Sequence, residues 1–250
     1  MRLEKNSTDP KETSPEKTGG DSRRRFFQTA GALSAALLAG ACSRGSQSKE
    51  PRNTAVEILG MGHGVLRRVL FVLEEAKGGL DARMDVSPEG ITGSVEILRK
   101  FVIGYHQVVE EQYYYPLFEQ AGKMKEIVSV LRAQHKAGKD LVDIMGKMAL
   151  QPSLKDLDAR RTLGLAIHKL SRMYRAHAAW EDTVLNPALF EAADAARIQS
   201  LNSEVRKADR SSLGEQGYHE ILRMLSQLET SLGIGELSSF TPNLEEFGEE

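Results

Sequence analysis

The chain of 250 residues has a single cysteine, Cys42. That excludes a disulfide framework, a Cys-based zinc site and an iron–sulfur cluster built by this chain alone. Aromatic residues are few and there is one tryptophan. Charge of one sign is not in excess: the net charge is −2 at pH 7, so the basic footprint of a nucleic-acid binder is missing and no nucleic-acid partner is expected. Only five prolines follow residue 51, which favours long helices over many short strands. No apolar run is long enough for a transmembrane helix. The longest, Ala30 to Ala41, has the length of a signal-peptide core.

That run has the right neighbours for such a role. Residues 1–21 are polar and charged and cannot bury enough apolar surface to fold. They lead into Ser22-Arg23-Arg24-Arg25-Phe26-Phe27-Gln28. This cluster resembles the twin-arginine export signal, S-R-R-x-F-L-K, with Phe27 for the usual Leu and Gln28 for the usual Lys. The resemblance implies passage through the twin-arginine translocase, which carries folded, metal-loaded proteins. An uncut N-terminal anchor helix is the alternative. Ala39-Gly40-Ala41 reads as a small-x-small cleavage site. The same residues run into Cys42 and resemble a lipobox, although Ala39 stands where Leu is usual and Leu38 is one place early. The expected product is therefore periplasmic, or held at the membrane by a lipidated Cys42. Residues 42–52 are a polar linker, and loss of 1–41 leaves a mildly acidic chain.

The remainder predicts an all-α, up-down-up-down four-helix bundle over 53–191. Val56, Leu59, His63, Leu66, Leu70 and Leu73 recur at helical steps, and Gly78-Gly79 is the expected stop. Ser87-Pro88-Glu89 reads as the next helix start, before Val95, Leu98, Val102, His106, Val109 and Tyr113. That helix is expected to end near Pro116 and Gly122. A third stripe runs Ile127, Leu131, His135, Val142, Met145, Met148. The fourth starts after Pro152, runs Leu163, Ile167, Leu170, Tyr174, His177, Glu181 and ends near Pro187. Further helices within 192–235 either cover a bundle face or make a homodimer, and 236–250 is an acidic, flexible tail.

Four of the six histidines fall on these stripes, one per helix. His106-x-x-x-Glu110 and His177-x-x-x-Glu181 share one spacing, which turns both side chains to one helix face. The chain repeats itself: His63 to His135 is 72 residues, while His106 to His177, Glu110 to Glu181 and Pro116 to Pro187 are each 71. Heights agree as well. From His63 up to Gly78 and from Pro88 down to His106 are roughly 22 and 27 Å of helix. His63, His106, Glu110, His135, His177 and Glu181 thus converge on one layer. Burying four imidazoles and two carboxylates without a partner is very costly. Two dications bridged by the carboxylates and capped by the histidines would neutralise them. Imidazole and carboxylate without thiolate suit iron or manganese, with zinc a possible mis-load.

These residues resemble the hemerythrin family in its broader hemerythrin-like (HHE) form, over about 53–191. The resemblance implies a bundle around an oxo- or hydroxo-bridged di-iron centre. His63, His106, His135 and His177 would be terminal ligands, and Glu110 and Glu181 would bridge. His-x-x-x-Glu also differs from the Glu-x-x-His of ferritin-like bundles. Oxygen-carrying members have a fifth histidine four places after the third-helix one; here Lys139 stands there. The glutamate that often precedes the first and third histidines is Gly62 and Gln134. The missing ligand leaves an open position, or one filled by water or a carboxylate, and favours reactive oxygen or peroxide chemistry over reversible oxygen carriage.

Other residues are expected to be plainer. Glu111 and Asp182 are solvated neighbours or acids that orient a ligand histidine. Tyr113-Tyr114-Tyr115 pack in the core, the alternative being one phenol near the site. Trp180 packs; His168 and His219 lack the spacing; and Arg223 denies His219-Glu220 a zinc motif. Three functions fit the residues. The first is an exported di-iron protein binding a small diatomic or peroxo ligand (O2, peroxide or NO) for sensing, storage or detoxification. The second is a di-iron ferroxidase, peroxidase or NO-reducing enzyme. The third is a bundle that its metals only hold together.

Overall fold

The computed structural model describes residues 54–244 apart from 83, 85, 86 and 151–153. The export motif, Cys42, the whole linker and the last six residues of the tail lie outside these. The described residues are helical, with no strand among them.

Helix α1 is Ala55–Asp81. Thr54 and Glu57 close a capping box at its start: Glu57 N–H donates to Thr54 Oγ1 (3.2 Å) and Thr54 N–H to Glu57 Oε2 (2.7 Å). The helix does not stop at Gly78-Gly79 as the sequence suggests. Its last carbonyls are held from outside: the Arg160 guanidinium donates to Gly79 O (3.3 Å) and Leu80 O (3.0 Å), satisfying acceptors that a helix end leaves orphaned, and also to Met84 O (2.9 Å) just beyond the helix.

Helix α2 runs continuously over 89–121 and α4 over 157–192. Both pass straight through their prolines: α2 ends at Ala121 with Gly122 as its cap, as expected, whereas α4 runs on five residues beyond Pro187. Each proline is preceded by a π-helical turn, Glu110–Tyr114 before Pro116 and Glu181–Leu185 before Pro187. A proline cannot donate an i→i−4 bond and crowds the carbonyl there; the wider i→i−5 turn ahead of it relieves the crowding, and the missing donor costs one bond. A longer π stretch, Leu98–His106, precedes the first of these. Helix α3 is Lys125–Met148, reached through a left-handed turn at Gly122 (φ 71°) and Met124 (φ 52°). Asp156 caps the Leu157–Trp180 part of α4 by accepting from Ala159 N–H at 2.7 Å.

Each of the four helices packs on its neighbours to enclose a core that includes Leu66, Leu70, Leu73, Ile97, Leu98, Phe101, Phe118, Met145 and Leu170. Burial of such side chains contributes about 1.5–3 kcal/mol each before entropy is counted. Two more helices, α5 (Ala195–Leu213) and α6 (Gly217–Ser231), lie over the α1/α2 face. Of the two roles the sequence allows them, the structure shows the first, cover of a bundle face. Leu201, Val205, Ile221 and Leu225 are fully buried there. Arg68 donates to both carboxylate oxygens of the buried Glu229 (2.7 and 2.5 Å). Tyr105 donates to Asp209 (2.9 Å), and Asn202 accepts from the N–H of Ala55 (2.7 Å). Gly93 leaves room for Leu228: a Cβ there would lie 2.6 Å from its side chain.

Candidate metal centre

All six predicted residues meet in one buried layer. Two triads share Glu110: His63, His106 and Glu110, and Glu110, His135 and His177. Within each, the ligand-type atoms all lie within 4.8 Å of one another. His106 Nε2 stands 2.9 Å from Glu110 Oε1, and His135 Nε2 stands 3.3 Å from Glu110 Oε2. Glu181 joins both halves. Its Oε2 is 3.0 Å from His63 Nε2 and 3.3 Å from His177 Nε2. His135 Nε2 and His177 Nε2 are 3.2 Å apart.

The far sides of two of the rings are anchored across the repeat. His63 Nδ1 bonds Asp182 of the second copy at 2.7 Å, and His135 Nδ1 bonds Glu111 of the first at 2.7 Å. Each is the acid that follows a cluster glutamate, so the orienting role is the correct one of the two weighed. Asp182 is itself held by Arg67, and Glu111 lies 3.6 Å from Arg132. His177 Nδ1 bonds the side-chain oxygen of Gln134 at 3.0 Å. With Nδ1 donating outward, Nε2 presents its lone pair to the centre. His106 differs. A Cβ on Gly62 would lie 2.3 Å from its Nδ1, so the ring fits only because residue 62 is glycine.

Sequence reasoning undervalued Tyr115. Its hydroxyl donates to Glu181 Oε1 at 2.5 Å and lies 3.3 Å from His135 Nε2. It is five residues beyond Glu110, a step that an ordinary helix turns away and the π turn turns inward. Tyr114 meanwhile donates to Asn186 at 2.6 Å. Gln134 was noted only as a departure, and its bond to His177 has no separate sequence signal. Trp180 is a correction: it is 53% exposed, because its place in α4 faces away from the core. Lys139, at the missing-histidine position, is exposed, as are His168 and His219. One residue earlier, Gly138 is buried, and a Cβ there would lie 2.0 Å from the Tyr174 hydroxyl, which accepts from Gln107 at 2.9 Å.

Charge in the cluster is strongly coupled. Burial alone would push His63 and His135 down. Hydrogen bonds to Asp182 and Glu181 and the nearby charge of Glu110 carry His63 well above its usual range, and the charge of Glu110 and a bond to Glu111 raise His135. Burial alone would push Glu110 up, but the facing His106, His135 and His63 hold it well below the carboxylate range. Glu181 is lowered by His177 and His63 despite burial and the charge of Glu110. Burial and both carboxylates raise the Tyr115 phenol far beyond its normal value.

The donor set suits metal. Glu110 Oε1, Glu110 Oε2 and His106 Nε2 are buried without a hydrogen-bond partner. Each such orphan costs about 1–3 kcal/mol, and their close approach to one another is not aligned for hydrogen bonding. Bound cations would satisfy all three.

Fold and site together define a four-helix bundle with a buried histidine–carboxylate cation site. The description of the hemerythrin HHE cation binding domain matches residues 54–189, and the chain belongs to that family. Membership implies bound metal ions, usually iron. The chain is also similar to uncharacterised proteins of Mycobacterium tuberculosis and Mycobacterium bovis. Each is 33% identical over 244 residues, covering 93% of this chain and 94% of the relative. No solved structure matches significantly.

Proposed function

We propose that the chain is an exported non-haem di-iron protein that binds a small ligand of the O2, peroxide or NO class, for sensing, storage or detoxification. His63 and His106 would serve one ion, His135 and His177 the other, with Glu110 and Glu181 between them. The observation that carries this is Glu110, whose two buried oxygens lack any hydrogen-bond donor yet each face an imidazole nitrogen. A bound iron pair would supply redox equivalents and open coordination positions. The chain supplies the rest. Asp182, Glu111 and Gln134 fix three ring orientations, and the surrounding Leu, Phe and Tyr side chains keep bulk water away. The site also has only four histidines, since Lys139 points outward, which leaves room for an exogenous ligand.

One observation favours turnover as a second reading. The Tyr115 hydroxyl, 2.5 Å from Glu181, is a neutral hydrogen-bond donor inside the cluster, placed to stabilise charge that develops in ferroxidase, peroxidase or NO-reducing turnover. Iron-loaded protein is exposed to O2, peroxide, azide and NO and followed optically. Ligand-dependent bands without turnover support the binding reading. Repeated consumption of substrate supports the enzyme. No spectral response to any of them rejects both and leaves a bundle that its metals only stabilise. Export rests on the Ser22–Gln28 motif. Replacing Arg23 and Arg24 by Lys is expected to retain the protein in the cytoplasm, and Cys42→Ser to abolish any lipid label.

A further inference from the structure

The two halves of the cluster differ in what covers them. The His63/His106 half lies under the C-terminal helices. Tyr218 of α6 packs on Phe101 (6.1 Å between rings), and Phe101 stacks on His106 (6.4 Å). Behind them lie the buried Leu201, Val205, Ile221 and Leu225. Among the described residues, no helix beyond the bundle packs broadly on the α3/α4 face. There a cleft of about 260 Å³ opens beside His177, lined by Ile127, Val130, Leu131, Ala176 and Trp180 together with Gln134 and Glu126. Most of these side chains are apolar. Gln134, bonded to His177 Nδ1, and His177 itself are among the lining residues. A second cleft of about 380 Å³ lies between α2 and α3 beside His135; Ile103 and Val108 form part of its wall, but Glu111, Arg132, Lys136 and Lys139 make it charged.

We propose that the α3/α4 cleft is the access route of a small neutral ligand, delivering it to the His177 side of the cluster. This rests on the reading of the cluster as a ligand-binding metal centre. A neutral diatomic molecule partitions into apolar surroundings, since it makes no strong bonds with water. The cleft is too small for a helix or peptide segment but ample for such a molecule. The charged α2/α3 cleft offers it nothing comparable. Trp180, half-exposed on α4, is a wall of this passage rather than part of the core.

The test fills the passage without touching the cluster. Ala176 and Val130 are exposed on their helices, so Ala176→Phe and Val130→Phe each place bulk in the cleft. NO uptake by iron-loaded full-length protein is timed by stopped flow, with metal content measured on each sample. Both variants are expected to keep their metal and to slow NO uptake about fivefold or more, while Lys139→Glu in the other cleft leaves the rate unchanged. Crystals of the metal-free protein under xenon pressure give an independent readout: xenon is expected in the cleft of the wild type and not in that of Ala176→Phe. Wild-type rates in both filled variants, an unfilled cleft under xenon, or slowing by Lys139→Glu alone would overturn the proposal. If wild-type iron-loaded protein shows no response to NO, the reading of the cluster fails first and the route with it.

Discussion

The two copies of the internal repeat invite comparison. In each, the histidine of the leading helix is anchored by the acid that follows the other copy's glutamate: His63 by Asp182, His135 by Glu111. In each, a π turn starts at the cluster glutamate and ends at a residue before proline. There the likeness ends. His177 has Gln134 on its outer nitrogen, whereas His106 packs against bare Gly62. Glu181 accepts from Tyr115, whereas Glu110 accepts from nothing. The first half lies under α5 and α6; the second adjoins two clefts. What the copies share is the holding of cations. Where they diverge lies everything that would distinguish one ion's surroundings from the other's.

The largest effect expected is from Glu110→Ala. Glu110 belongs to both triads, so its loss should cut bound metal from about two ions per chain to well under one. Glu181→Ala should leave more metal than this, because Glu181 is part of neither compact triad. Elemental analysis compares the two, and equal losses would break the asymmetry. Next come Asp182→Asn and Glu111→Gln, each weakening metal binding by roughly 10–100-fold through a loosened histidine. Asp182→Asn should cost more, since it also frees Arg67; competition with a chelator measures both. Gly62→Ala forces the His106 ring aside and should destabilise the protein by about 1–3 kcal/mol by denaturant melts. The same melts on Gln134→Ala should show less.

The smallest expected effect is on pH dependence, and its sign differs between the metal-free and loaded forms. Folding raises His63 and His135 above 6.5. Their contribution is full below pH 6.5 and is lost as pH climbs through the folded values. Folding lowers Glu110 and Glu181 below 4.5. Theirs is present above pH 4.5 and is lost as pH falls through the folded values. The cluster therefore stabilises metal-free protein most between those limits and less toward pH 8. Metal displaces the histidine protons, so loaded protein should gain stability over the same rise. Melting curves of both forms from pH 5 to 8 check this, and parallel trends would contradict it.

Much of this was legible in the sequence because both signals involved are periodic. Apolar stripes gave the four helices, and the 71- and 72-residue repeat brought His63, His106, Glu110, His135, His177 and Glu181 to one height. What escaped is what a 3.6-residue period cannot express. The π turns carry α2 and α4 through Pro116 and Pro187, and they bring Tyr115 to Glu181. The end of α1 escaped too, because Arg160, some 80 residues away in sequence, supplies its cap. Trp180 was assigned to packing on residue type alone, and only its angular place on α4 shows it to be exposed.

The proposed centre is one buried layer that holds two metal ions, iron by preference, between Glu110 and four histidines. Metal content together with an optical spectrum of full-length protein produced with iron and exposed to air tests it most directly. About two irons per chain, with oxo-bridge charge-transfer bands in the near-ultraviolet that vanish in Glu110→Ala, is the result expected. Protein that holds no metal, or whose metal is unchanged by Glu110→Ala, would contradict it.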